Sequence, residues 1–207
     1  MLGLRVPEVA FFFSGFGESD YHPIEAFDKA LMSAGVHEYN LVYYSSILPK
    51  DIAFTKELPE TPRGTELPVV LSYVYGNGGE YLAAGLGRAI DKNRGGIVVE
   101  THAKGESPNN LIMGTHEVTL EEFKERTENL AIKLLEDRGF TAHEHGIIFS
   151  HGRSSKRYSC AVAGVAFVRF RRIRCFFSRS AVNHRASLSL RSCLPLPRSS
   201  GPRYAYP

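Results

Sequence analysis

Two kinds of apolar spacing alternate along this chain, and they predict its elements. Val9 to Phe13 is a continuous apolar run closed by Ser14-Gly15, the pattern of a buried strand. Ser14 to Asp20, with Gly15 and Gly17, reads as a tight glycine-bearing loop. Pro23 then opens a helix at a first helical position, and Ala34-Gly35 ends it. Ile24, Phe27, Leu31 and Ala34 fall on one face of that helix. Asp28 borders the same face, where a carboxylate needs a partner or water. Two readings stay open for it: a rim ion pair, or an acid that receives a cation at the wall of a partly apolar pocket.

Leu41 to Tyr44 is a short strand of β-formers that runs into Ser45-Ser46, and Pro49 denies the chain a backbone donor just beyond. Lys50 to Gly64 is a charged, proline-bearing loop. Residues 65–75 and 81–90 read as strands, and Gly76 to Gly79 as the turn that pairs them in a hairpin. Ile97, Val98 and Val99 form a buried strand closed by Glu100. Thr101 to His116 is polar and irregular and reads as a long surface loop. Thr119 with Glu122 is a capping box. It opens a helix to Arg138 with Leu120, Phe123, Thr127, Leu130, Ala131 and Leu134 inward, and Gly139 stops it. Glu144 to Phe149 and Tyr158 to Val168 read as a closing strand pair. From Arg169 onward no period holds, so no structure is assigned.

Composition changes this picture in one respect. The 207 residues carry a net charge of +3, but nine arginines and no acidic residue or lysine follow Val168. Residues 1–168 are therefore at −6, a body suited to a cationic substrate and not to nucleic acid. The basic segment 169–207 reads as a disordered or non-native tail, with RNA or an anionic membrane as the alternative partners. The three cysteines have no metal-ligand spacing and an odd count, which points to reduced thiols in the cytoplasm. No stretch has the length of a signal h-region or a membrane span. His143-x-His145 and His151 have no second cluster beside them, so no metal is expected. Gly15-x-Gly17 lacks the third glycine of a dinucleotide fingerprint.

The chemistry is placed at Ser45-Ser46, two adjacent hydroxyls at a strand end. Alone, the pair is an ordinary serine turn. With it stand Ser14-Gly15-Phe16-Gly17-Glu18-Ser19, Ala26-Phe27-Asp28-Lys29-Ala30-Leu31, Ala34-Gly35, and Asn40 to Pro49. Together these resemble the pyruvoyl-dependent arginine decarboxylases over roughly residues 8–168, and Cys160 to Val168 resembles that family's last strand.

The resemblance implies an α/β fold, the α-β-β-α sandwich of pyruvoyl-dependent decarboxylases, in a domain of residues 1–168. It implies self-cleavage between Ser45 and Ser46, with Ser46 becoming a covalent pyruvoyl group. Ser46 Oγ would attack the Ser45 carbonyl, and Asn40 carries the implied role of oxyanion donor. The pyruvoyl group would serve as electron sink in converting L-arginine to agmatine and carbon dioxide. Glu100 aligns with the proton donor, Asp28 with the guanidinium-binding acid, and Leu31 and Ile47 with residues flanking the substrate methylenes. A homotrimer or dimer of trimers with active sites between subunits is also implied, and with it a role in polyamine synthesis or acid resistance. Two alternatives remain: a pyruvoyl enzyme for another amino acid, and an uncleaved, non-catalytic trimeric homologue.

Overall fold

Alternation, more than apolar continuity, sets the architecture. The computed structural model describes residues 3–174, so the part of the basic tail from 175 onward lies outside the described residues. The elements run β1 (Gly3–Ser19), α1 (Pro23–Ser33), β2 (Asn40–Tyr43), β3 (Ile47–Leu48), β4 (Ala53–Thr55), β5 (Glu66–Asn77), β6 (Tyr81–Asp91), β7 (Gly95–Ser107), β8 (Asn110–Met113), β9 (His116–Val118), α2 (Leu120–Glu136), β10 (Glu144–Arg153) and β11 (Tyr158–Arg174). This is a mixed α/β chain with two sheets and few helices, compatible with a sandwich. One sheet has the order β2-β5-β11-β1-β4; the other runs β10-β6-β7-β8-β9, with β3 paired to β7. Most of these residues, Pro7 to Arg169, form one unit. The ends of β1 and β11 belong to a second, small unit in which the Arg5 guanidinium lies 5.4 Å from the Phe170 ring centroid.

Each sheet has one face toward a helix and one toward the other sheet. On β5, Val69 and Leu71 join a buried cluster with Ala26, Ala30 and Leu31 of α1. Ser72, one register step away, donates from Oγ to the Thr101 carbonyl of β7 in the other sheet. On β6, Ala83 packs with Phe123 of α2, and Ala89 with Ala131 and Leu135.

Several expectations change here. The segment Ser14–Ser19 is strand, not loop, because Gly15 and Gly17 form the floor on which α1 rests. A Cβ at Gly15 would stand 2.1 Å from the Ala30 carbonyl oxygen, and one at Gly17 2.3 Å from that of Ala26. The two expected strand pairs are not pairs. β5 runs antiparallel to β11 and β6 antiparallel to β10, so residues 78–80 and 154–157 both carry the chain from one sheet to the other. Glycine turns signal reversal of direction, and a sheet-to-sheet crossing needs the same residues.

β7 does not close at Glu100 but continues to Ser107, and with β8 and β9 it turns most of the expected loop into strand. Its second half is half-buried: Thr101 and Ala103 are inward, while Glu100, His102 and Lys104 are exposed. β11 likewise extends to Arg174, past the expected boundary at 168.

Both helices begin as the sequence indicates. Pro23 is at the start of α1, and His22 Nδ1 accepts from Ile24 N at 3.1 Å. The Thr119–Glu122 capping box of α2 is complete, with Thr119 N donating to Glu122 Oε2 at 2.7 Å. The buried face of α1 is Ala26, Ala30 and Leu31, with Ile24 exposed. The small alanines let the helix lie close on the glycines. α2 buries Leu135 where Leu130 was expected. No helix among the described residues is long and apolar enough to cross a membrane.

Candidate functional site

Ser45 and Ser46 lie where the chain leaves one sheet for the other. β2 is an edge strand parallel to β5, from Asn40↔Glu66 to Tyr43↔Val69, and Tyr44 N extends that ladder to the Val69 carbonyl at 2.8 Å. Three residues later the chain is β3, antiparallel to β7, with Ile47 opposite Ile97. Leu48, 1% exposed, anchors this short strand. Gly95 allows the approach: its φ is +96°, and a Cβ there would stand 2.5 Å from the Leu48 carbonyl oxygen.

Three hydrogen bonds define the crossing. Val98 N donates to the Ser46 carbonyl at 2.9 Å, and Ile47 N donates to the Ser45 carbonyl at 3.0 Å. Ser46 Oγ donates to Glu100 Oε2 at 3.2 Å. The site is open: Ser45 and Glu100 are exposed, Ser46 is half-buried, and Ile47 is exposed beside it. The structure therefore brings Ser45, Ser46, Ile47 and Glu100 together. Glu100 reaches the serine because it stands on the open face of mid-strand β7, and not at a strand end.

Asn40 is placed differently. Its Nδ2 donates to the Gly64 carbonyl at 2.8 Å, and its backbone N to the Thr65 carbonyl at 3.0 Å. These bonds join the start of β2 to the turn before β5, where Gly64 has φ +83°. Asp28 is exposed on α1 and has no hydrogen bond or ion pair among the described residues. Its neighbour Phe27 meets Tyr73 edge-on at 5.6 Å and Tyr75 at 6.1 Å. Partial burial first, and then Tyr73, push the Tyr43 hydroxyl above its ordinary pKa; burial does the same to Tyr75. Leu31 is buried in the α1 cluster rather than presented at the surface. No hydrogen bond or ion pair within the chain joins Asp28 to Ser46 or Glu100.

Sequence reasoning missed the rest of the open face of β7. His102 and Lys104 follow Glu100 on it and line a cleft of about 870 Å³ with Glu80, Glu106 and Arg153. The cleft does not include Ser46 or Glu100. Its charges are largely engaged, Lys104 with Glu80 at 3.4 Å and Arg153 with the Gly79 carbonyl at 2.9 Å. The polar alternation Glu100, His102, Lys104, Glu106 was the available signal.

The histidines considered as metal ligands have other neighbours: His143 lies 3.9 Å from Asp91, His145 bonds Glu128 at 2.6 Å, and His151 bonds Tyr81. Among the described residues no three potential ligands converge. Cys160 is buried, and that burial pushes its thiol up to about 12.

Against known proteins, the family model described as pyruvoyl-dependent arginine decarboxylase matches residues 9–172. A protein of that name from Methanococcus maripaludis strain C5 is 29% identical over 165 residues, 78% of this chain and 91% of the relative. One from Methanococcus vannielii is 34% identical over 104 residues, 49% of this chain and 62% of the relative. A shorter match, to the Methanopyrus kandleri protein of the same name, is 43% identical over 75 residues, 36% of this chain and 49% of the relative.

Proposed function

This chain belongs to the pyruvoyl-dependent arginine decarboxylase family, and from that premise we propose that it cuts its own backbone between Ser45 and Ser46 and then converts L-arginine to agmatine and carbon dioxide. The observation that carries this reading is the contact of Ser46 Oγ with Glu100 Oε2 at 3.2 Å, formed where the chain crosses between sheets.

The local structure supports each step asked of these residues. Ser46 Oγ is the nucleophile next to the scissile carbonyl. The residues around it also fit a pyruvoyl group at position 46. After a cut, the new end at residue 46 stays tied to β7 through Val98 N and the Ser46 carbonyl, beside Glu100. The Ser45 end is exposed, and the residue before it stays on the β2–β5 ladder through Tyr44 N and the Val69 carbonyl. The group itself would supply an electron sink. Glu100 then holds the proton that returns to the substrate's α-carbon. Ile47, exposed next to Ser46, is placed to touch the substrate methylenes.

Asp28 is the proposed guanidinium acceptor, suited to bidentate pairing. Because no hydrogen bond or ion pair among the described residues links it to Ser46, it serves best from a neighbouring copy, as in a trimer or dimer of trimers with sites between subunits. Leu31, on the same helix and 8% exposed, is the residue proposed with Ile47 to flank the substrate methylenes. The architecture is assigned as the α-β-β-α sandwich of pyruvoyl-dependent decarboxylases. Residues 1–168, with the strand's continuation to 174, form the catalytic domain, cut into two chains, and the compartment is the cytoplasm.

Intact mass tests the reading directly. Purified protein separates into residues 1–45 and 46–207, the second blocked at its N-terminus, and Ser46→Ala remains one chain. Cleaved protein then releases agmatine from arginine. A stable, uncut wild-type chain would show a non-catalytic homologue instead, and release of a different amine would change the substrate.

A further inference from the structure

The self-cleavage proposed above needs a hydrogen-bond donor on the Ser45 carbonyl, and the structure holds one in the backbone. We propose that the Ile47 N–H is the oxyanion donor of the self-cleavage reaction. The inference rests on the reading of Ser45-Ser46 as the scissile pair.

The geometry comes from the strand register. Ile47 faces Ile97 across the β3–β7 ladder, and Val98 N bonds the Ser46 carbonyl on one side of that pair. In an antiparallel ladder, a pair flanked in this way is the non-hydrogen-bonded kind, with its N–H groups pointing away from the partner strand. The Ile47 N–H is therefore not used by β7. It turns back across Ser46 and meets the Ser45 carbonyl oxygen at 3.0 Å. A fixed donor is effective at about 2.7–3.1 Å from the oxyanion that develops from such an oxygen, and the uncut chain already holds the N–H on it.

The Asn40 amide donates one hydrogen to the Gly64 carbonyl at 2.8 Å, and no hydrogen bond joins it to the Ser45 carbonyl. Its place is at the joint of β2 with the turn before β5, where it fixes the direction from which the chain arrives at Tyr44. The Ser46 hydroxyl is held at the same time on Glu100. Nucleophile and donor thus belong to consecutive residues, and the one-residue turn brings the Ile47 N–H onto the carbonyl that precedes Ser46.

In the reaction, Ser46 Oγ forms a bond to the Ser45 carbonyl carbon, and the π pair moves onto the oxygen that faces Ile47 N–H. The pair returns as the Ser45 C–N bond breaks, and the hydroxyl proton ends on the Ser46 nitrogen. The product is an ester between the Ser45 carbonyl and Ser46 Oγ, with a free amine at residue 46. Removal of the Ser46 Cα proton then expels the Ser45 carboxylate from Cβ and leaves dehydroalanine at position 46. Its enamine form takes up water and releases ammonia to give the pyruvoyl group, so no oxidant is needed.

The test removes one hydrogen atom. Replacing Ile47 in the full chain by its α-hydroxy analogue swaps the N–H for an ester oxygen and keeps the side chain. The same replacement at Lys50, beyond Pro49, sets the reference rate. Appearance of the 1–45 fragment is followed by intact mass, which separates a cut at 45–46 from hydrolysis of the introduced ester. We expect cleavage to slow by about 10²–10³-fold, the usual effect of losing one oxyanion donor. Ile47→Pro, which also lacks the N–H, should fall in the same range while near-ultraviolet dichroism stays that of Ser46→Ala. Cleavage of the ester variant at the reference rate overturns the proposal. So does loss of cleavage in Asn40→Ala alone with the ester variant unaffected, which would place the donor on Asn40. Failure of the wild-type chain to cleave is a different result, and it removes the functional reading itself.

Discussion

The two helical layers of this molecule are finished to different degrees. α2 is 17 residues long, capped at its start, and held along its surface by Lys124–Glu121 at 2.7 Å and Lys133–Asp137 at 3.2 Å. Beneath it Phe123 is fully buried, and the Thr127 and Thr101 hydroxyls bond each other at 2.6 Å. α1 is 11 residues long and covers its sheet only in part. Ile24 is 65% exposed, and beyond the helix Tyr43 and Tyr73 are 59% and 41% exposed. Asp28, exposed on the same helix, has no hydrogen bond or ion pair among the described residues. Among the described residues one layer is well covered, whereas beside the other Phe27, Tyr73 and Tyr75 form a partly exposed aromatic group. Patches of that kind mark places where something else binds. Stability should therefore concentrate on the α2 side, and recognition on the α1 side.

The proposed chemistry belongs to neither layer, and the strongest test of the comparison is to separate it from both. Glu100 is on the face of β7 opposite to the one that α2 covers. Glu100→Gln keeps size and an acceptor for Ser46 but loses the titratable proton. It should fold and cleave as the parent does, yet lose kcat by roughly 10²–10⁴-fold, the span of general acid catalysis. A loss of thermal stability that accounted for the lost rate would break the separation.

Next in size is the contrast in packing. Phe123→Ala empties a site under α2 with no exposed surface, and about 3–5 kcal/mol of unfolding free energy should go with it. Phe27→Ala, on α1, removes a ring that is already half open to solvent and should cost less than half as much. Urea midpoints of the two variants, made on an uncleavable Ser46→Ala background, measure both. Equal losses would mean that the α1 surface is as much core as the α2 side.

Asp28→Asn sharpens the recognition half. If a neighbouring copy covers Asp28 in the working enzyme, losing its charge should weaken arginine binding by about 2 kcal/mol or more, as for a buried pair. Were the pair open to solvent, as Asp28 is in one chain, the loss would stay under about 1 kcal/mol. The effect should appear in KM, with kcat changed less, because the guanidinium is remote from the bond that breaks. If the proposed oligomer completes the site, dilution through its dissociation range should abolish activity in parent and variant alike.

Residues with a strong local cause were legible in the sequence. Pro23, Gly35, the Thr119–Glu122 box and Gly139 mark helix ends through backbone geometry that needs no tertiary context. The strand that ends just before Ser45-Ser46 was legible from its β-formers, whereas the 3.2 Å contact of Ser46 with Glu100 joins two residues 54 positions apart. What failed were inferences from glycine. Gly15 and Gly17 are flat strand under a helix, and Gly76 to Gly79 lead out of one sheet into another. A missing side chain can serve a turn, a close approach or a crossing, and local sequence does not separate the three. The open half of β7 was missed for the opposite reason. Its outward residues are charged, so a half-buried strand looked like a loop. The position of Asn40's amide depended on Gly64, a contact that only the folded chain defines.

The smallest expected effect concerns the seam that ties down the end of α2. Asp91, at the end of β6, is 5% exposed and accepts from Thr141 N at 2.9 Å and from Asn93 N at 2.8 Å. Thr141 belongs to the segment that follows α2, so this carboxylate fastens the finished layer to its sheet. The Thr141 bond first, and then the Asn93 bond, hold its pKa below the ordinary value of 3.8. His143 and Arg94 add in the same direction, against the opposing effect of burial. A depressed folded-state pKa means that the unfolded chain binds the proton more readily. The resulting stability is fully present above pH 3.8 and is lost as pH falls from there through the folded-state value. Asp91→Asn keeps an acceptor but cannot carry the charge, so it should be less stable than its parent at neutral pH. The gap between the two urea midpoints should narrow as pH drops below about 4. Measuring the difference between variants isolates Asp91 from Glu25 and Glu122, whose carboxyls are also held low by their hydrogen bonds. A gap of constant size from neutral pH down to full protonation would show that the site acts through shape alone, and the charge at the seam would contribute nothing to the α2 layer.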